Sequence, residues 1–291
     1  MLWKLLGFAV IGTMWGAGLQ DELEARAKRG PGKVFLYAKH LKTGKTIGLR
    51  AEEKVRTAST IKLPILVEVF AGAAEGKWKL DDEIEMRKQD VVSGSGVMRE
   101  LTPGTKFKIR DVANLMIVVS DNTGTNVILE RITADRVNAR MDALGLPATR
   151  SMRKVRGDGT QLAPAQGWSK AGLLEENKKF GLGSSTSVEM VKLLEMLEGG
   201  KLEGSKEMLE ILKRQQDNTG MQRKLGKYTI ASKSGALDHL RSDVGIVYAK
   251  SGPIAMAITV EDIPGIDYGP DNPGLLVLAD LAEMIVNAWE R

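Results

Sequence analysis

The hydrophobic rhythm of the chain changes twice. Between Lys33 and Arg50 the runs VFLYAKH and TIGLR, split by Thr43, Gly44 and Lys45, predict a β-hairpin. From Ser59 to Gln216 apolar residues recur at three- and four-residue spacing, which predicts helices over 59–74, 110–119, 123–132, 134–144, 187–197 and 206–216. Start and stop signals agree: Asp111 is an acidic first-turn residue, Gly145 follows Leu144, and Gly199 and Gly200 close the run that ends at Leu197. The strand rhythm then returns in YTIASKS (228–234), SDVGIVYAK (242–250) and PIAMAITV (253–260), whose short connections predict an antiparallel meander. After Pro273 a last apolar helix is expected over 274–289. The fold class is therefore α+β: an antiparallel sheet flanked by helices, built from both chain ends, with an inserted all-helical subdomain. The expected division is a sheet subdomain of 20–55 and 205–291 around a helical subdomain of 56–204, with a cleft at the seam.

Composition narrows the chemistry. A chain of 291 residues that is 43% hydrophobic can bury a large core. Its 42 basic and 37 acidic residues are interspersed, which describes a solvated surface and not a nucleic-acid stripe, so no nucleic-acid partner is expected. The absence of cysteine excludes disulfides, a thiolate nucleophile and a lipidated N-terminal cysteine, and with two histidines a zinc site is not expected. Neither a metal nor a cofactor is called for. Lys4 precedes an apolar run from Leu5 to Leu19 with the small residues Gly16, Ala17 and Gly18 at its end, so residues 1–19 read as a secretory signal peptide. The run is shorter than the ~20 residues of a membrane span. An exported monomer, periplasmic or extracellular and not stably inserted in a membrane, is expected.

Three short motifs carry the candidate chemistry: Ser59-Thr60-Ile61-Lys62, Ser120-Asp121-Asn122 and Lys233-Ser234-Gly235. A serine hydroxyl attacks a carbonyl only when a base takes its proton, and on a helix residues three apart share a face, which would bring the Lys62 amine to Ser59. Each motif is weak alone. Ser151-Met152-Arg153-Lys154 repeats the first pattern, and Lys42-Thr43-Gly44 repeats the third in a hairpin turn. The order of the three, with Lys233 late on a strand that could pair with a substrate, favours the set named first. A Ser-His-Asp triad lacks a Gly-x-Ser-x-Gly elbow; His40 reads as a surface residue, and His239 either lines the cleft or is an ordinary loop histidine.

With these motifs the chain resembles the class A β-lactamases and the related penicillin-binding serine hydrolases, over nearly everything after the leader. The resemblance implies that Ser59 is the nucleophile, Lys62 the base or proton relay, and Ser120 the donor to the leaving nitrogen, aided by the Lys233 ammonium. It implies that Asn122 binds the substrate amide, that the N–H groups of Ser59 and Ala236, beside Gly235, form the oxyanion hole, and that Ser234, Lys233 and Arg241 hold a substrate carboxylate. The implied substrate is a β-lactam or a D-alanyl-D-alanine-like peptide, and the implied reaction is hydrolysis of a β-lactam amide through an acyl-enzyme. A D-alanyl-D-alanine peptidase, an esterase or a non-turnover penicillin-binding protein is the alternative. One family feature is missing. Where class A enzymes carry a water-activating Glu in a Glu-x-x-x-Asn pattern, alignment on Asn177 places Leu173, leaving Glu175 and Glu176, out of register, as the candidate deacylating residues.

Overall fold

A computed structural model describes residues 15–291; of the leader expected over 1–19, residues 1–14 lie outside the described residues. The hairpin strands Lys33–His40 and Thr46–Leu49 form as the sequence predicts, with Gly44 at φ 74° in the turn. They join strands Ile230–Leu237, Leu240–Ala249 and Gly252–Glu261 in one antiparallel sheet of five. The first strand pairs with the last along its whole length, from Lys33 opposite Glu261 to His40 opposite Ile254. Both ends of the described chain thus meet in the middle of the sheet.

The strand Gly252–Glu261 is apolar on both faces because it separates two cores. Ala255 and Ala257 face a core shared with helices Lys62–Ala74, Ile109–Val118, Asn122–Ile132 and Ser187–Glu198. Ile254, Met256 and Ile258 face the other core, where Leu19, Leu23 and Ala27 of the helix Trp15–Lys28 meet the helix Pro273–Glu290. Sequence reading did not foresee the Trp15–Lys28 helix. His40, expected on the surface, is buried at the sheet end, its Nε2 3.2 Å from Ser251 Oγ and its ring 6.1 Å from that of Trp289.

The largest local departure concerns the first motif. The α-helix begins only at Lys62, and Ser59 lies on a preceding 3-10 turn, Ala58–Ile61. Ala58 takes φ 47°, a left-handed conformation that a side chain disfavours, so the chain turns sharply into Ser59.

Candidate active site

Three pieces of chain converge on a cavity of about 740 Å³ lined by Ser59, Ser120, Asn122, Ser234, Gly235 and Ala236. The strand carrying Ser234 runs hard against the turn carrying Ser59. A Cβ on Gly235 would stand 2.9 Å from Thr57 O and 3.0 Å from Ser59 N, so only glycine allows this approach. Ser120 sits at φ 53° in a loop pinned by the buried carboxylate of Asp121. Asp121 Oδ1 caps the helix Asn122–Ile132 by accepting from Gly124 N at 2.7 Å, while Oδ2 accepts from Val97 N and Met98 N at 2.7 and 2.8 Å.

Lys62 is fully buried, with no ion-pair partner among the described residues. Its Nζ donates to Ser120 O at 2.7 Å and to Asn122 Oδ1 at 2.9 Å, and lies 3.1 Å from Ser120 Oγ. Burial, then the charge of Lys233, pushes its pKa well below that of an ordinary lysine, although Asp121 opposes the shift. An amine that sheds its proton this readily has a lone pair to offer. The contact with Ser59 differs from the expected one: no hydrogen bond joins Ser59 Oγ to Lys62 Nζ, because Ser59 sits on the 3-10 turn and the amine is drawn towards Ser120 and Asn122. Asn122 is spent within the fold as well, its Nδ2 donating to Ser93 O at 3.2 Å.

Lys233 is also fully buried and donates to Ser234 O at 2.7 Å. Burial lowers its pKa to about 8, while Asp217 and Asp243 pull the other way. Arg241 departs from its expected role. Its guanidinium donates to Leu237 O at 2.5 Å, Leu240 O at 2.6 Å and Asp267 O, and stacks 4.7 Å over Tyr268, so it does not line the cleft. Glu175 and Glu176 depart too. Both are exposed on the 3-10 segment Glu175–Phe180 outside the cavity wall, and Glu175 pairs with Lys178 at 2.5 Å. The decoy lysine Lys154 is clamped between Asp90 at 2.8 Å and Glu130 at 2.7 Å. Among the described residues no group of three acids or histidines could hold a metal ion.

A profile of the beta-lactamase enzyme family matches residues 18–289. The chain belongs to that family. Among curated proteins, beta-lactamase Toho-1 of Escherichia coli is 25% identical over 128 residues, 44% of each chain. Beta-lactamase L2 of Stenotrophomonas maltophilia is 30% identical over 86 residues, 30% of this chain and 28% of its own. The alignment with the curated relatives thus spans less than half of their length. Among solved structures, a beta-lactamase from Sphaerobacter thermophilus superposes with TM-score 0.79 at 25% identity, covering 94% of this chain and 97% of that one. A PBP-A mutant solved as its acyl-enzyme complex with penicillin G gives TM-score 0.80 at 26% identity with the same coverage, 94% and 97%.

In this beta-lactamase-family chain the sequence motifs missed several residues of the cleft. Asp217 faces it and is held low: burial pushes its carboxyl up, but bonds from Thr219 and Ser234 and the charge of Lys233 win. Asp243 lies directly across the sheet from Ser234, fully buried, and burial raises its pKa to about 7. A charged residue inside the apolar stretch SDVGIVYAK was the legible signal for Asp243. Arg153 and Lys179 also line the cavity, and neither was a candidate site residue.

Proposed function

We propose that Ser59 accepts the acyl group of a small, carboxylate-bearing amide, a β-lactam or a D-alanyl-D-alanine-like peptide, and that the acyl-enzyme is hydrolysed slowly. The observation that carries the first half is Lys62, a buried amine with no ion-pair partner among the described residues, held by Ser120 and Asn122 behind the serine turn. In this reading Lys62 takes the Ser59 proton as Oγ attacks the carbonyl. The N–H groups of Ser59 and Ala236 would stabilise the oxyanion, a role in which one donor is worth ~3 kcal/mol. The C–N bond breaks as Ser120 gives its proton to the leaving nitrogen and recovers one from Lys62. Lys233 and Ser234 bind the substrate carboxylate, and Arg241 does not.

The second half rests on the cleft wall, whose acids are Asp158, Asp217 and Asp238. Bonds from Thr160 and Ser93 hold Asp158 at about 2, which makes it a poor base for activating water. Rapid β-lactam turnover is the second reading, favoured by the beta-lactamases among the relatives. Intact-protein mass spectrometry after mixing with benzylpenicillin decides between them. An adduct that persists for many minutes is expected. A transient adduct with accumulating hydrolysed penicillin would establish the second reading, and no adduct would dismiss both.

A further inference from the structure

The cleft does not end at Ala236. Beyond it the wall continues into a second hollow of about 790 Å³ that shares Arg56, Lys179 and His239 with the first and adds Lys54, Phe180, Glu261, Asp262 and Ile263. The strand Ile230–Leu237 sets the direction. Lys233 and Ser234 lie on one side of Ala236, and His239, in the turn after Leu237, lies on the other. A substrate laid along this strand with its leaving-side carboxylate at Ser234 and its carbonyl at Ala236 would direct its acyl side chain towards His239.

Among the exposed charged residues of the hollow two cations, Lys54 and Lys179, face one acid, Asp262. Lys54 and Lys179 are exposed, and neither has an acid within ion-pair distance among the described residues. Lys179 lies over the Phe180 ring at 5.2 Å. Arg56 meets Glu261 Oε1 through Nε at 3.3 Å, and the same oxygen accepts from Arg56 N at 3.0 Å, so Glu261 is engaged while the terminal nitrogens of the guanidinium have no partner among the described residues. His239 donates Nδ1–H to Ile263 O at 2.9 Å, so in its neutral form Nε2 is an acceptor and the ring offers an anion no donor. Arg153, with one nitrogen donating to Lys154 O at 2.8 Å, adds a further cation to the wall of the first cavity. Asp262 is the one acid of the hollow without a basic partner among the described residues. The cleft acids on this side are engaged: Asp158 by Thr160 and Ser93, and Asp238 by the Tyr268 hydroxyl at 2.9 Å.

Building on the proposed acyl-enzyme chemistry, we propose that Lys54, Arg56 and Lys179 form an anion subsite for the acyl side chain, so that the preferred acyl donor carries a second carboxylate on the side that stays with the enzyme. The leaving-side carboxylate and this second one would then lie on opposite sides of Ser59. Such a subsite speeds association and holds the side chain, and because its lysines are exposed its effect is screened by salt.

Two penicillins that differ by one carboxylate on the acyl side chain test this, benzylpenicillin and carbenicillin. The second-order constant for adduct formation is measured for each by mass spectrometry. Carbenicillin is expected to react roughly fivefold faster at low ionic strength, as for one or two partly exposed ion pairs. The ratio should shrink towards one in high salt and fall below one in Lys54→Glu/Lys179→Glu, where two exposed side chains change sign. A wild-type ratio at or below one, or a ratio that the double variant and salt leave unmoved, overturns the subsite while leaving acylation of Ser59 intact. Absence of an adduct with either penicillin overturns both proposals.

Discussion

The chain contains the pattern Ser-x-x-Lys twice, and the two lysines end in opposite circumstances. Lys62 and Lys154 are both buried, at 0% and 3% exposure. Lys154 lies between two carboxylates, Asp90 and Glu130, which Arg87 also grips through bonds of 2.9 and 2.6 Å. Arg87 and Lys154 bring Glu130 down to about 2, and they hold Asp90 low against the opposing pull of its burial. Lys62 instead has carbonyl oxygens and a hydroxyl for neighbours, and burial undermines its charge. Motif and burial are alike. What separates a structural cation from a candidate base is whether a carboxylate touches it; the Asp121 charge near Lys62 is taken up by backbone N–H groups.

The strongest way to break this comparison is to remove each serine. Ser59→Ala should abolish covalent labelling by benzylpenicillin, whereas Ser151→Ala should leave labelling in place; the reverse result in mass spectrometry would exchange the roles of the two segments. Replacing each lysine by methionine comes next. Lys62→Met should slow adduct formation by on the order of a thousandfold while the melting temperature holds or rises, since a poorly compensated buried amine is removed. Lys154→Met should leave labelling of the folded fraction unchanged and cost about 3 kcal/mol in denaturant unfolding, because Asp90 and Glu130 lose a buried partner.

A finer test uses pH. Adduct formation should climb as pH rises through the lowered pKa of Lys62, because the neutral amine is the base, and decline above about 8 as Lys233 loses the charge that binds the substrate carboxylate. Replacing Asp243 by Asn removes one of the charges that hold the Lys233 proton in place, so the alkaline limb should move to lower pH. A limb that stays put would detach Asp243 from Lys233. The smallest effect is expected for Glu175→Gln and Glu176→Gln, which should leave the lifetime of the adduct within twofold of the original, since both side chains lie outside the cavity wall.

Much of the fold was legible because periodicity reports burial. The two hairpin strands, the three late strands and the long helices were readable from apolar spacing, and the fold class follows from them. The Trp15–Lys28 helix was not, because its first residues sit in an apolar stretch that reads equally well as a leader. The short strand pairs, such as Glu83–Glu85 with Lys106–Lys108, are too brief for any rhythm. In the site, the motifs located Ser59, Lys62, Ser120 and Lys233 around one cleft. They could not say that Ser59 would lie on a 3-10 turn, because that geometry comes from the strained Ala58 and the close approach of Gly235. Nor could spacing reveal that the Arg241 guanidinium would be consumed by backbone carbonyls, or that Glu175 would turn outwards to Lys178.

The pairing of the first strand with the last also has a consequence for the order in which the molecule is made. Val34 can find Val260 only when the late strands have left the ribosome, and Ser59 meets Gly235 under the same constraint. A nascent or truncated chain therefore carries Ser59 without the strand that Gly235 brings against it. On the proposed chemistry, the order of synthesis withholds the serine's partner strand until the late strands have emerged.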